Sequence, residues 1–276
     1  MMRYFLAKAI ALMAFGMALT SGLAEKSPFI TLSSTTSIEN SGLLDYLIPR
    51  FKDRTGIDVR VVSVGTGRAL KLGETGDTDL ILVHHRPSEE EFVSKGFGVK
   101  RREVMYNDFI IAGPPEDPLD IGEADSVERV LTLIHKHRMP FVSRGDESGT
   151  HKKEMELWGL AGVDVQQYSG SWYHETGAGM GTTLNIANGM GAYVLADRGT
   201  WLSFKNRNGL ALLFENDPLL HNQYSIIEIN PERHPHTKFK EAELFTNWLA
   251  SSEGQQMIAS FTLDGQQLFF PNALPQ

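Results

Sequence analysis

Residues 143–151 read Ser-Arg-Gly-Asp-Glu-Ser-Gly-Thr-His, and two kinds of chemistry can be built from those side chains. Ser148 and His151 offer a nucleophile and a base, whereas Arg144, Thr150 and the backbone N–H groups around Gly149 offer donors to an anion. A secreted serine hydrolase wants Gly-x-Ser-x-Gly on a tight elbow, with its histidine supplied from elsewhere. Gly145-Asp146-Glu147-Ser148-Gly149 misses that spacing by one residue. His151 sits on the helix that Ser148 precedes, where nothing local orients it as a base. A guanidinium, by contrast, presents a fork of donors that never loses its charge. Anion recognition is the better reading, and hydrolysis through Ser148 and His151 is the alternative from another class.

Three further junctions have the same character: Ser34-Thr35-Thr36-Ser37, Gly65-Thr66-Gly67, and the stretch from Thr176 through Gly177 and Gly179 to Gly181. Each follows an expected strand and opens an expected helix. The first turn of a helix exposes unpaired N–H groups at the positive end of its dipole. Serine or threonine caps that turn and glycine lets a ligand approach the backbone. Such ends bind anions, and in α/β sheets they gather at the C-terminal edges of strands. The Gly65 turn is not a dinucleotide fingerprint, because Leu70 holds the place of the third glycine. Nanomolar capture needs about 12 kcal/mol. At about 1.5–3 kcal/mol per charge-assisted hydrogen bond, that takes more donors than one turn supplies.

The elements that must position these turns alternate along the chain. Strands are expected at 28–34, 58–65, 79–85, 102–112, 139–143, 171–175, 191–197, 210–214 and 225–230, with helical runs between most of them. That order implies an α/β fold with parallel sheets covered on both faces. Two long extended segments, near 102–112 and 222–230, are placed to carry the chain between two lobes and back. The expected division is lobe I at 25–106 with 224–276, and lobe II at 107–223.

At the N-terminus, Arg3 and Lys8 precede the apolar run 9–19, and small residues at 22–24 offer a cleavage site. Residues 1–24 therefore read as a signal peptide. Removing them takes the formal charge from −8 to −10. An acidic chain argues against nucleic acid as a partner and makes anion recognition a local matter. With no cysteine there is no disulfide, thiolate or lipid anchor, so the mature protein is expected to be periplasmic, soluble and monomeric. The pairs His84/His85, His135/His137 and His234/His236 lack a third ligand at a recognisable spacing, so no metal is expected. Glu89-Glu90-Glu91 reads as a solvated helix start, and Trp248, Phe269 and Phe270 as core.

Across nearly the whole mature sequence, STTSIENSG, VGTGRALKLGETGDTD, VMYNDFIIAGP, FVSRGDESGTHKKEMELW, WYHETGAGMG, GAYVLADRGTWLSF, NPERHPH and DGQQLFFPNA resemble the tungstate-binding proteins of ABC importers. These belong to the wider class of two-lobed periplasmic binding proteins. The resemblance implies two Rossmann-like α/β lobes joined by two crossovers (type II architecture), an oxoanion in the cleft, no cofactor, and delivery to an ABC permease. The family's Thr-Thr-Thr-Ser motif reads Ser34-Thr35-Thr36-Ser37 here. It implies donors at Thr35 and Ser37 in lobe I and at Arg144 and Thr150 in lobe II. Thr66, Gly67 and Gly179 join them by position at their helix ends. Whether Arg68 or Asp146 touches the ligand stays open; Asp146 and Glu147 are expected to face away from it, with Asp146 bracing the loop or Arg144. Tungstate is the first candidate, with molybdate, phosphate and sulfate as alternatives. Tungstate and molybdate carry no proton near neutral pH and want donors only, whereas phosphate gains from an acceptor.

Overall fold

A computed structural model describes residues 27–263 and 265–273, so the expected signal peptide at 1–24 lies outside the described residues. The chain begins with β1 (Phe29–Thr35), α1 (Thr36–Ser41), α2 (Leu43–Thr55), β2 (Asp58–Val64), α3 (Thr66–Thr75), β3 (Leu80–Val83) and α4 (Arg86–Ser94). A long strand β4 (Gly98–Gly113) leads to α5 (Val127–His137), β5 (Phe141–Ser143), α6 (Gly149–Leu160), β6 (Tyr173–Glu175), α7 (Met180–Met190), β7 (Val194–Asp197), α8 (Arg198–Ser203) and β8 (Ala211–Phe214). The return is β9 (His221–Ile229), followed by α9 (Phe239–Ala250), α10 (Ser252–Ser260) and the short strands β10 (Thr262–Leu263), β11 (Gln266–Gln267) and β12 (Phe270–Pro271).

The α/β order expected from the sequence is observed, with one correction to the pairing. The parallel pairs are β1–β2, β1–β3 and β5–β6. However, β9 runs antiparallel to both β3 and β4, and β4 runs antiparallel to β7, β8 and β12. The eight-stranded sheet is therefore mixed, while β5 and β6 form a separate parallel pair. The two long strands cause the mixing, because they run alongside each other in opposite directions from Gly98/Ile229 to Asp108/His221. Beyond that point β4 exchanges β9 for β7 at Phe109–Ala112 and for β8 at Ile111–Gly113.

Alternation along β4 then distributes its side chains. Phe109 and Ile111 join a core confined to residues 109–220. Ile110 and Ala112 join a core that also takes in Ile30, Leu32, Phe51, Phe245 and Leu249. A smaller cluster of Ala69, Leu70, Ile81, Val83, Phe92, Ile227 and Ile229 sits under α3 and α4. Helix α5 shows the logic of the coverings: Val127, Val130, Leu131 and Ile134 are buried at helical spacing, and Ser126 caps the start by accepting from the Arg129 N–H at 3.2 Å.

The structure departs from the sequence pattern in three places. The helix expected across 40–56 divides at Gly42 (φ 77°), and its first part begins at Thr36, directly on the end of β1. Phe270 is 38% exposed, stacking on Tyr106 rather than filling the core, while Trp248 and Phe269 are buried. Glu89 is fully buried instead of solvated. It accepts from Arg101 Nε at 2.7 Å and from the His85 backbone N–H at 2.7 Å, and burial holds its carboxyl up at about 7 despite Arg101.

One buried carboxylate fixes the strand that carries Thr35. Asp79 accepts from the Thr31 N–H at 2.7 Å and the Lys238 N–H at 2.8 Å, tying β1 to the approach of α9. Asp79→Ala leaves both donors unpaired and is expected to cost about 2–4 kcal/mol in chemical denaturation; a change near zero would show that the tie contributes nothing net.

Candidate functional site

Strand register brings the first junctions together. Thr35 lies opposite Val64, and Ser34 opposite Leu82, so β1, β2 and β3 end at one edge. That edge presents Thr35-Thr36-Ser37, Gly65-Thr66 and His84 side by side. Thr35 Oγ1 and Ser37 Oγ are 2.9 Å apart, and Ser37 Oγ is 3.4 Å from His84 Nε2. The second edge is built the same way. Ser143 lies opposite Glu175 in the parallel pair β5–β6, so the chain leaves both strands into the Arg144 and Thr176 loops. Thr176 Oγ1 donates to the Arg144 carbonyl at 3.2 Å, which joins those loops.

The two edges meet face to face. A Cβ on Gly149, the first residue of α6, would lie 2.5 Å from His84 Cε1, 2.8 Å from His84 Nε2 and 2.9 Å from Thr66 Oγ1. One on Gly65 would lie 3.8 Å from Ser148 Cα. Only glycine at 149 allows this approach. Thr35, Ser37, Thr66, Arg144 and Thr150 are all buried. Thr66 Oγ1 and Thr150 Oγ1 are buried without a hydrogen-bond partner, as is His151 Nε2. Buried hydroxyls are normally satisfied, so two unpaired ones beside converging helix ends are available to an acceptor.

Arg144 is held by its own loop. Its Nε and Nη2 donate to Asp146 Oδ2 at 3.1 and 2.5 Å, and Asp146 Oδ1 accepts from the Ser148 N–H at 3.2 Å. Asp146 therefore braces the arginine, as expected. Gly145 (φ 57°) and Glu147 (φ 58°) are both left-handed, and that pair of reversals folds the loop. The Glu147 side chain is 83% exposed and points to solvent.

The geometry of Ser148 and His151 is that of a helix start. Ser148 Oγ accepts from the His151 backbone N–H at 3.2 Å, and His151 Nδ1 accepts from the Glu147 N–H at 3.1 Å. Neither ring nitrogen of His151 therefore bonds the hydroxyl it would have to activate. Gly67 is half-buried near Lys152, Arg68 is exposed, and Gly179 caps α7 from an exposed position with nothing within 4 Å of its would-be Cβ. The structure brings Thr35, Ser37 and Thr66 to the meeting of the two edges, with Thr150 buried at the start of α6 and Arg144 on the loop before it, and leaves Gly179 at the rim.

His84 is the residue that sequence reasoning passed over. Spacing alone groups it with His85 as an incomplete metal pair, and among the described residues no group of three or more His, Asp or Glu could hold a metal. Its position carried a signal nonetheless, because it follows the fully buried strand Leu80–Val83 at the same edge as the other junctions. His84 Nδ1 donates to Asn222 Oδ1 at 2.8 Å, and Asn222 Nδ2 donates in turn to Asn107 Oδ1 at 2.7 Å. The ring packs on Tyr224, whose hydroxyl lies beside Ser37. Burial lowers the His84 pKa to about 4, against the Asn222 hydrogen bond, with Arg144 and His85 lowering it further. The imidazole is neutral at pH 7, its Nδ1 protonated and its Nε2 a lone pair.

Residues 23–253 match the PBP superfamily domain. The chain is 42% identical to the tungstate-binding protein TupA of Peptoclostridium acidaminophilum, over 99% of each chain. This chain belongs to the TupA family of the PBP superfamily. TupA of Campylobacter jejuni is 39% identical, with 86% of this chain and 88% of that one covered. Among solved structures, the tungstate-binding TupA of Desulfovibrio alaskensis G20 superposes with a TM-score of 0.79 at 43% identity, covering 90% of this chain and all of that one. The tungstate ABC transporter protein of Geobacter sulfurreducens gives 0.77 at 44% identity, over 84% and 98%. As a TupA family member the chain has the two-lobed α/β architecture of its class, which agrees with the mixed sheet described above.

Neutral, buried His84 makes stability depend on pH in a definite direction. Its folded pKa lies below the unfolded value of 6.5, so the unfolded chain takes up more protons between pH 6.5 and about 4, and acidification through that window destabilises. Glu89 and Glu154, raised to about 7 and about 8, act oppositely: they weaken the fold as pH rises from 4.5 toward those values. The clean test is a difference. Between pH 7 and 4, His84→Gln should lose less stability than the wild type by about 3 kcal/mol; parallel stability curves would contradict a neutral His84.

Proposed function

We propose that this protein captures tungstate between its two lobes and presents it to the permease of an ABC importer. The observation that carries the reading is the convergence of hydroxyl- and guanidinium-bearing junctions from distant parts of the chain. Thr35, Ser37 and Thr66 come from one set of parallel strand ends, and Arg144 and Thr150 from the other. Two of those hydroxyls are buried and unpaired. Gly67 and Gly179 would contribute backbone N–H groups as the lobes close. Binding coupled to closure follows from donors on both sides. The relatives named above as tungstate-binding support the choice of ion.

The proposed hinge is β4 with β9, giving lobe I at 25–106 with 224–276 and lobe II at 107–223. The change in the partners of β4 after Asp108 supports that division. Both oxygens of Asp146 are engaged within its loop, so this carboxylate does not serve as an acceptor for the ion. That favours an unprotonated dianion, tungstate or molybdate, over phosphate. The reading also holds that the protein works as a periplasmic monomer, needs no cofactor and performs no chemistry, Ser148 serving as a helix cap.

Calorimetric titration with tungstate, molybdate, sulfate and phosphate tests the proposal. Tungstate is expected to bind with nanomolar affinity and the two lighter, more abundant anions weakly or not at all. Arg144→Ala should weaken binding by at least about 100-fold, the loss of two charge-assisted hydrogen bonds, with the circular-dichroism spectrum unchanged. Wild-type affinity in that variant would remove Arg144 from the site.

A further inference from the structure

We infer that His84 is the proton acceptor of the anion site: capture of a dianionic oxoanion is accompanied by uptake of one solvent proton on its Nε2, so that the imidazole enters the bound complex as an imidazolium donor. This rests on the dianion reading above.

The guanidinium of Arg144 is already matched by Asp146 at 2.5 Å, so that pair is close to neutral. A dianion placed against it brings two negative charges into a buried setting, with only helix ends and neutral hydroxyls to meet them. Uncompensated buried charge is expensive, and a nearby base is the ordinary way to relieve it. Every group facing His84 can be named. Ser37 comes from α1, Thr66 from α3, and Gly149 with the helix start from α6. Arg144 acts from its loop and His85 from the adjoining position. Asn222 and Tyr224 come from β9, and Phe109 from β4. None of these is a carboxylate; Asp197, buried at the end of β7, acts on Arg144 and Tyr224, and Glu90, Glu103 and Glu156 line the cavity beside the ring. His151 Nε2 is also buried and unpaired on α6, but His84 is the base whose bare nitrogen lies against Ser37 and Gly149.

Its geometry is set for the role. The Nδ1 hydrogen is engaged by Asn222, so protonation can occur only at Nε2, the atom 3.4 Å from Ser37 Oγ and facing Gly149. Without an anion, burial and Arg144 keep that nitrogen bare. With one, the sign of the local field reverses and the lone pair becomes a donor in the place where a donor is wanted. A proton has a route in: a cavity of about 490 Å³ is lined by His84, His85, Glu90, Glu103, His221 and Asn222. The step balances simply, because a buffer acid gives up a proton and the imidazole takes it.

Calorimetry of the whole protein with sodium tungstate, near about pH 6.5 in buffers of differing ionisation heat, reads the proton count directly. The expected result is uptake approaching one proton in the wild type, none in His84→Gln, and wild-type affinity that rises up to about tenfold for each pH unit lowered. Binding heats independent of buffer would overturn the inference, as would equal uptake in His84→Gln. Should that variant fail to fold, the ¹⁵N shift of the wild-type His84 Nε2 decides. A move from the bare to the protonated range on adding tungstate supports the inference, and an unchanged shift overturns it. If the wild type gives no binding signal at all, the tungstate reading fails first; binding without proton uptake defeats only the role of His84.

Discussion

Hydrogen-bond donors without acceptors, turned toward one another in a buried place, are the constraint on which this molecule is organised. Two sets of parallel strands end face to face, and α3 and α6 begin at those ends, so the positive poles of both helices point into the same region. Thr66 and Thr150 add buried hydroxyls that no protein group satisfies. Such an arrangement is costly in isolation. It is stabilised only by the strand pairing behind it, in which β4 and β9 run side by side past both edges, and by an acceptor brought between them. On the proposed function, selecting a small anion and holding the lobes together are the same physical event.

In the proposed site the electrostatics are arranged to stay close to neutral until an ion arrives. The chain is acidic overall, so the attraction must be local and short-range. In the proposed site Arg144 is the buried guanidinium; Asp146 fixes its direction, and Asp146 with the more distant Asp197 offsets its charge. His84 is neutral for reasons of burial and of its proximity to Arg144. A site with a bare, unpaired cation would attract any anion. One whose cation is already matched rewards only a guest that satisfies the whole ring of donors.

Much of this was legible in the sequence, and the failures have physical causes. The junctions at Thr35, Thr66, Arg144 and Thr150 could be read because helix caps and close-approach glycines are local signals, carried by consecutive residues. The α/β alternation could be read for the same reason. The antiparallel insertion of β9 between β3 and β4 could not, because it depends on pairing between residues more than a hundred positions apart. Asn107, Asn222 and Tyr224 reach the site through that pairing alone, and nothing in their own neighbourhoods announces it. Glu89 looked solvated because it heads a run of three glutamates, yet the helix turns it inward to Arg101 on β4. His84 follows a strand at the same edge as Thr35 and Gly65, so its signal lies in position rather than in metal-ligand spacing.

The most direct test of the account is a crystal structure of the protein with tungstate, the metal located by its anomalous scattering. The account predicts one strong peak between the two strand edges, its oxygens within hydrogen-bonding distance of groups on both the Thr35–Ser37 turn and the Arg144–Thr150 loop. A peak contacting one edge only, or lying elsewhere on the molecule, would contradict it.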